Sequence, residues 1–279
     1  MTTLGAVFLP QLPPERLRSI VRTADEAGLE ELWLWEDCFW ESGIATASAA
    51  LAWTERLRVG VGLLPVPLRN VAIAAMEIAT LQRLFPDRIT IGVGHGVQDW
   101  MGQVGARAES PMTLLREYLG ALQGLLRGEK LTVEGRYVKL DEVALDWPPG
   151  RVPMYVGAVG PKTLGLAGEL ADGAILTGGT TPEKVGQAKR LTGGANIVVY
   201  LHAATGPGAA ERMEAERVMW SYEEGRDCYA VGDADAVATA VRRWAQAGAD
   251  TVVLQPTPDD PDPEGFVRFV AEQVRPLIP

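Results

Sequence analysis

Residues 57–102 read LRVGVGLLPVPLRNVAIAAMEIATLQRLFPDRITIGVGHGVQDWMG, and this stretch decides the fold. Residues 57–62 are apolar and valine-rich over a short run, the composition of a strand buried on both faces. Residues 70–84 then space their apolar side chains at helical period, and residues 89–93 form a second buried strand. Strand, helix and strand make one βαβ unit, and its second strand runs into Gly94-His95-Gly96. Glycines at a strand end let a ligand approach backbone N–H groups closely, so a functional loop is expected there.

The same alternation extends in both directions. Upstream, residues 4–9 and 31–35 read as strands, followed by helices over 13–27, closed by Gly28, and over 43–53. Downstream, a polar loop runs to Pro111, and a helix over 113–126 takes Thr113 as its N-cap. A small hairpin over 130–140 and a proline-rich connector over 146–153 follow. Later strands fall at 154–157, 174–177, 197–202 and 251–254, with helices near 162–170, 182–191, 211–225, 234–247 and 266–274. Eight strands alternating with helices predict a (β/α)8 TIM barrel spanning residues 1–279 as a single domain, with a doubly wound sheet as the alternative.

Composition narrows the function. With 279 residues, 47% of them hydrophobic, the chain can bury the large core that a barrel needs. A net charge of −10 from scattered acidic residues argues against nucleic-acid backbones and anionic membranes as partners, but leaves small anionic ligands open. Cys38 and Cys228 lie far apart without metal-ligand spacing and suit a reducing compartment. No apolar run is long enough to cross a bilayer, and the first residues lack a basic signal-peptide region, so a cytoplasmic protein is expected.

In such a barrel the site is assembled from the loops after the strands. Those loops carry Glu36-Asp37-Cys38-Phe39-Trp40, the glycine loop around His95 with Trp100 beyond it, and Ala158-Val159-Gly160-Pro161. Two glycine-containing loops, two tryptophans, an acidic pair and a histidine suit a flat aromatic cofactor with a phosphate tail. His95 is the proton-transfer candidate, with satisfaction of loop hydrogen bonds as its other reading. His202, at the end of an apolar strand, reads as structural, and Cys38 as a small buried side chain with no histidine beside it. Trp40 and Trp100 either line a substrate pocket or pack their own loops. Gly92-Val93-Gly94-His95-Gly96 has its third glycine misplaced for a dinucleotide fingerprint.

The pattern around residues 35–40, the run LPVPLRNVAIAAMEIATLQRLFPDRITIGVGHG, the segment VPMYVGAVGPKTLGLAGELADGAIL and the late VGDADAVATAVRRWAQAGADTVVLQ together resemble the luciferase-like superfamily of flavin-dependent monooxygenases and coenzyme F420-dependent reductases, including the methylenetetrahydromethanopterin reductase-like branch. The resemblance implies the barrel already inferred, with the cofactor lying across the strand C-termini. It assigns Asp37 to a cofactor hydrogen bond and Val61-Gly62 to a bulge with a non-prolyl cis peptide behind the cofactor ring. It sets Gly94 and Gly96 beside that ring. Gly157, Ala158, Val159, Gly160 and Pro161 become the phosphate segment at a helix N-terminus, joined by Thr177 and Gly178. Cys38, Trp40 and Trp100 fall on the substrate side.

Two departures accompany these matches. Cys38 stands where the family's motif usually has histidine, and Val97 stands where deazaflavin-dependent sugar-phosphate dehydrogenases have glutamate. Both set this chain apart from those dehydrogenases. The chain is also short for the superfamily, which implies trimmed insertions and a pocket that is more open or completed by a partner copy. The resemblance therefore implies an oxidoreductase transferring hydride between coenzyme F420 and a small organic substrate, commonly as a homodimer. Its alternatives are an FMN-dependent monooxygenase served by a separate flavin reductase, and a non-catalytic flavin-binding protein.

Overall fold

Short runs of valine, isoleucine and leucine form the strands of the computed structural model, which describes residues 2–222, 225 and 227–279. They are β1 (Thr3–Val7), β2 (Glu31–Leu34), β3 (Arg58–Pro65), β4 (Ile89–Gly94), β5 (Leu131–Glu134), β6 (Lys139–Val143), β7 (Met154–Gly157), β8 (Gly173–Leu176), β9 (Asn196–Ala204), β10 (Tyr229–Val231) and β11 (Thr251–Gln255). The helices are α1 (Leu17–Ala27), α2 (Gly43–Ala52), α3 (Val71–Leu84), α4 (Gln98–Gln103), α5 (Pro111–Leu126), α6 (Pro161–Leu170), α7 (Pro182–Leu191), α8 (Ala209–Met219), α9 (Ala234–Gln246) and α10 (Pro263–Arg268). Among the described residues, eight parallel strands close a barrel in the order β1, β2, β3, β4, β7, β8, β9, β11 and back to β1. That closure excludes the doubly wound sheet, which would leave two open edges.

Side-chain volume explains how the barrel closes. Trp33 from β2 and Tyr200 from β9 are buried inside it with Val7, Leu9, Ile175, Val198 and Val253. Room for them comes from glycines on the facing strands. A Cβ on Gly60 would sit 2.4 Å from the Trp33 ring, one on Gly62 2.4 Å from the Tyr200 hydroxyl, and one on Gly92 2.4 Å from Ile175. The glycines of RVGVG are thus the complement of two large aromatics, and Gly92 of ITIGVG that of Ile175. Outside the barrel, Leu32, Leu34, Val59, Ile89 and Ile91 pack into the layer shared with the helices.

Several boundaries differ from expectation. α5 begins at Pro111 with Ser110 as its cap residue, so Thr113 lies inside it, its hydroxyl 2.8 Å from that of Ser110. Proline at the first helical position needs no donor, which moves the start upstream. The last helix begins at Pro263, where the Asp262 carboxylate accepts from the Gly265 N–H at 2.8 Å, and continues from Phe269 to Val274 as a π-helix. α8 ends at Met219, while part of the expected stretch to Gly225 lies outside the described residues. Two elements were not foreseen: α4 in the loop after β4, and β10, which pairs with β9 where that strand extends beyond the barrel. The β5–β6 hairpin forms as expected.

Candidate functional site

The mouth of the barrel is floored by aromatics. The Trp35 ring stacks on Tyr200 at 5.3 Å with 14° between planes, and Trp33 meets Tyr200 edge-on at 6.1 Å. The Tyr200 hydroxyl donates to the Gly62 carbonyl at 3.1 Å, tying β9 to β3 across the interior. The Trp35 indole N–H is buried without a partner. An unpaired buried donor at a strand end is costly unless a ligand meets it.

Next to this floor β3 shifts register between Val61 and Leu64. The cis peptide there joins Gly62 to Leu63, one residue beyond the expected position, and a second cis bond joins Cys38 to Phe39. The Val61 side chain points out of the barrel, toward Gly43 of α2, leaving only its backbone on the inner side. Leu63 turns inward. A Cβ on Gly94 would lie 2.6 Å from a Leu63 methyl, and one on Gly157 2.1 Å from it. The missing side chains at Gly94 and Gly157 thus make room for Leu63. Gly96 has a left-handed backbone, φ +67°, beside Pro65 and Met101.

The acidic pair in the loop after β2 divides its labour. Glu36 is buried and accepts from Arg69, with Nη1 on Oε1 and Nη2 on Oε2 at 2.7 Å, and from the Gly43 N–H at 2.8 Å. Arg69 also donates to Glu77 at 3.1 Å. The Asp37 side chain, by contrast, makes no hydrogen bond among the described residues, and burial pushes its pKa up to about 6. Glu41, which the sequence did not single out, is pushed up to about 7 by the same cause. Burial first, then the charges of Glu36 and Asp37, raise the Cys38 thiol, so it is no nucleophile at neutral pH. Phe39 and Trp40 are exposed, while Trp100 on α4 is half-buried.

The raised Asp37 pKa carries a stability consequence. The native carboxyl holds its proton more tightly than the unfolded chain, whose value is near 3.8, so stability falls as pH rises from about 4 to 6. Asp37→Asn removes that loss. The variant is expected to gain roughly 1–2 kcal/mol at pH 7.5, allowing for screening by water. Thermal melts of both proteins check this, and an equal gain at pH 3.5 would refute it.

His95, between β3 and β7 on the β4 loop, is half-buried, and its Nδ1 is buried without a partner. Burial lowers its pKa below 6.5, partly offset by the Pro111 carbonyl, so the ring is neutral at pH 7. The loop is held instead by Gln98, whose amide donates to the His95 and Gly96 carbonyls at 3.2 and 3.4 Å. The imidazole itself is anchored by its hydrogen bond to the Pro111 backbone, which leaves only Nδ1 without a protein partner.

Across the mouth a cavity of about 310 Å³ brings together the two segments expected to hold a phosphate: Ala158, Val159 and Pro161 with Thr177 and Gly178. Gly160 caps α6, and nothing stands within 4 Å of where its Cβ would be. Lys184 lines the same cavity, and its ammonium has no carboxylate partner among the described residues. No Asp or Glu lines it among those residues. Helix N-terminus, free lysine and absence of acids suit an anion. His202 lies beneath, 2.4 Å from a Cβ on Gly178, its Nε2 3.3 Å from the Tyr222 hydroxyl. Burial pushes its pKa to about 4, and its neutral ring buttresses the Thr177 loop.

Residues 3–195 match the luciferase-like monooxygenase family. The 5,10-methylenetetrahydromethanopterin reductase of Methanolobus tindarius is 30% identical over 193 residues, 69% of this chain and 59% of that protein. The F420-dependent glucose-6-phosphate dehydrogenase of Nakamurella multipartita is 31% identical over 185 residues, 62% of this chain and 55% of that one. The chain thus spans little more than half the length of the curated relatives it matches. Among solved structures, an F420-dependent secondary alcohol dehydrogenase in complex with an F420–acetone adduct superposes with a TM-score of 0.86 at 19% identity, covering 100% of this chain and 99% of that one. That likeness establishes the shared fold.

Proposed function

The chain belongs to the luciferase-like monooxygenase family, and from that premise we propose that it is an oxidoreductase moving a hydride between coenzyme F420 and a small organic substrate. The observation that carries this reading is the pair of relatives, at 30% and 31% identity, that are a methylenetetrahydromethanopterin reductase and an F420-dependent dehydrogenase. The residues present fit such a cofactor. The Trp35–Tyr200 floor suits a flat heteroaromatic ring, the buried Trp35 N–H lacks an acceptor, and the cavity beside Lys184 suits a phosphate.

Asp37, Gly94, Gly96 and the Gly62–Leu63 backbone would border the ring. Gly157 to Pro161 and Thr177-Gly178, with Lys184, would hold the phosphate. When bound, the deazaflavin supplies a ring carbon that gives or takes a hydride. The chain supplies the rest. Asp37, ionised at pH 7, accepts a hydrogen bond, and neutral His95 takes the proton that leaves a substrate as its hydride departs, returning it in the reverse direction. Trp40, Trp100 and Cys38 border the substrate. The exposed Val97 in place of a carboxylate and Cys38 in place of histidine favour a substrate other than a sugar phosphate.

A fluorescence titration with coenzyme F420 and FMN, each oxidised and reduced, tests the reading. Tight binding of F420 alone is expected. Preference for reduced FMN with oxygen uptake would make the protein a monooxygenase fed by a separate flavin reductase, and F420 binding without turnover across alcohols and enones would make it a carrier. As for assembly, we propose a homodimer formed through α3, whose Ile73, Met76 and Leu84 are 49%, 55% and 65% exposed on one helical face. Sedimentation equilibrium should give twice the chain mass, and Met76→Glu should give monomer. A wild-type monomer would end this part of the proposal.

A further inference from the structure

A second cavity, of about 420 Å³, lies outside the barrel mouth, between the start of α3, the loop after α4, the start of α5 and the β5–β6 hairpin. It shares no lining residue with the cavity of about 310 Å³ at the mouth, although Arg69, the partner of Glu36, lies in its wall. Its wall contains Arg69, Arg107 and Lys139 but no Asp or Glu. Glu36 and Glu77 neutralise Arg69 from behind. Arg107 donates to the Gln98 carbonyl and, among the described residues, pairs only with Asp99, whose side chain is 93% exposed. Lys139 has no ion-pair partner among the described residues. The N-terminus of α3, at Asn70 and Val71, adds its positive end to the same wall.

One further group points to a ligand. Tyr118 lines the cavity, is only 3% exposed, and its hydroxyl makes no hydrogen bond to the described protein. The ring is buried but its oxygen is not sealed off, so the hydroxyl opens into the cavity as a donor for an occupant. Burial raises its pKa, so it remains a donor. Val66, Val71 and Leu114, all buried and apolar, line the same cavity. The lining thus combines cationic groups with apolar surface.

We propose that this cavity binds a small organic anion, its carboxylate or phosphate held by Arg107, Lys139 and the Tyr118 hydroxyl and its body packed on Val66, Val71 and Leu114. The arrangement separates the site from the oxidoreductase mouth, so it binds whether or not a cofactor is present.

Calorimetric titration of the purified chain with benzoate, phenyl phosphate and benzyl alcohol tests this. At least one anion is expected to bind one to one, with the neutral alcohol about tenfold weaker or worse. The preferred anion tells carboxylate from phosphate. Lys139→Gln, at an exposed and unpaired position, and Arg107→Gln should each weaken the anion several-fold to about tenfold, whereas Lys184→Gln at the mouth should not. No anion binding at millimolar concentration, equal binding of benzyl alcohol, or loss in Lys184→Gln with none in Lys139→Gln would each overturn the proposal. Tyr118→Phe refines the result but does not decide it, because that ring is also part of the core.

Discussion

Glu36→Ala is expected to lower stability by about 3–5 kcal/mol, the cost of breaking a buried ion pair from one side. The side chains of Glu36 and Arg69 are 10% and 16% exposed, so water cannot replace the lost partner. The change also orphans the Gly43 N–H at the start of α2. Arg69 would keep Glu77 alone. Glu36→Gln retains the shape and two of the acceptor roles, so it should fall between the two proteins. The double variant Glu36→Leu with Arg69→Met should lose less than the sum of its singles, because no charge is then left stranded. Urea denaturation of the wild type, Glu36→Leu, Arg69→Met and the double variant measures this, and strict additivity would show that the pair is not coupled. Because Glu36 precedes Asp37, the alanine variant should also loosen cofactor binding.

His95→Ala is expected to reduce turnover about 100-fold or more while leaving the F420 dissociation constant within about threefold, the pattern of a lost proton transfer. The pH profile adds a second test. In the direction that releases a substrate proton, activity needs neutral His95 and falls as pH drops through its value, which burial has placed below 6.5. Asp37, at about 6, titrates on the same limb. The two separate by parameter: Asp37→Asn moves cofactor affinity, and His95→Ala moves kcat. Unchanged turnover in His95→Ala would remove this residue from the mechanism.

Most of the barrel was legible because burial on both faces leaves an unbroken apolar signature, as in ITIGV, that no helix of this length imitates. What escaped depended on distant partners. The role of Gly62 is set by a hydroxyl 138 positions away on Tyr200, and the gaps at Gly94 and Gly157 are set by Leu63, which local pattern cannot reveal. A strand-end glycine can make room for a protein side chain as well as for a ligand, and the local pattern is the same in both cases. Likewise Glu36 and Asp37 look alike as neighbours in the chain, yet alternation turns one toward Arg69 and the other toward the mouth. β10 was missed because three residues, YAV, carry too little signal and are anchored only by the overlong β9. The β3–α3 loop gave no hint of the cavity it borders, since Arg107 and Lys139 reach that cavity from segments far along the chain.

The glycine-for-aromatic exchange inside the barrel makes the wall formed by β3 and β4 a fixed part, machined to fit Trp33, Tyr200 and Ile175. A library that varies positions 60, 62 or 92 would therefore mostly yield misfolded chains, whatever substrate it was selected on. New specificity would have to be sought where side chains face solvent, at Phe39, Trp40, Val97 and Val159, which the scaffold leaves free to change. The protein is, in that sense, a rigid cup with an exchangeable rim.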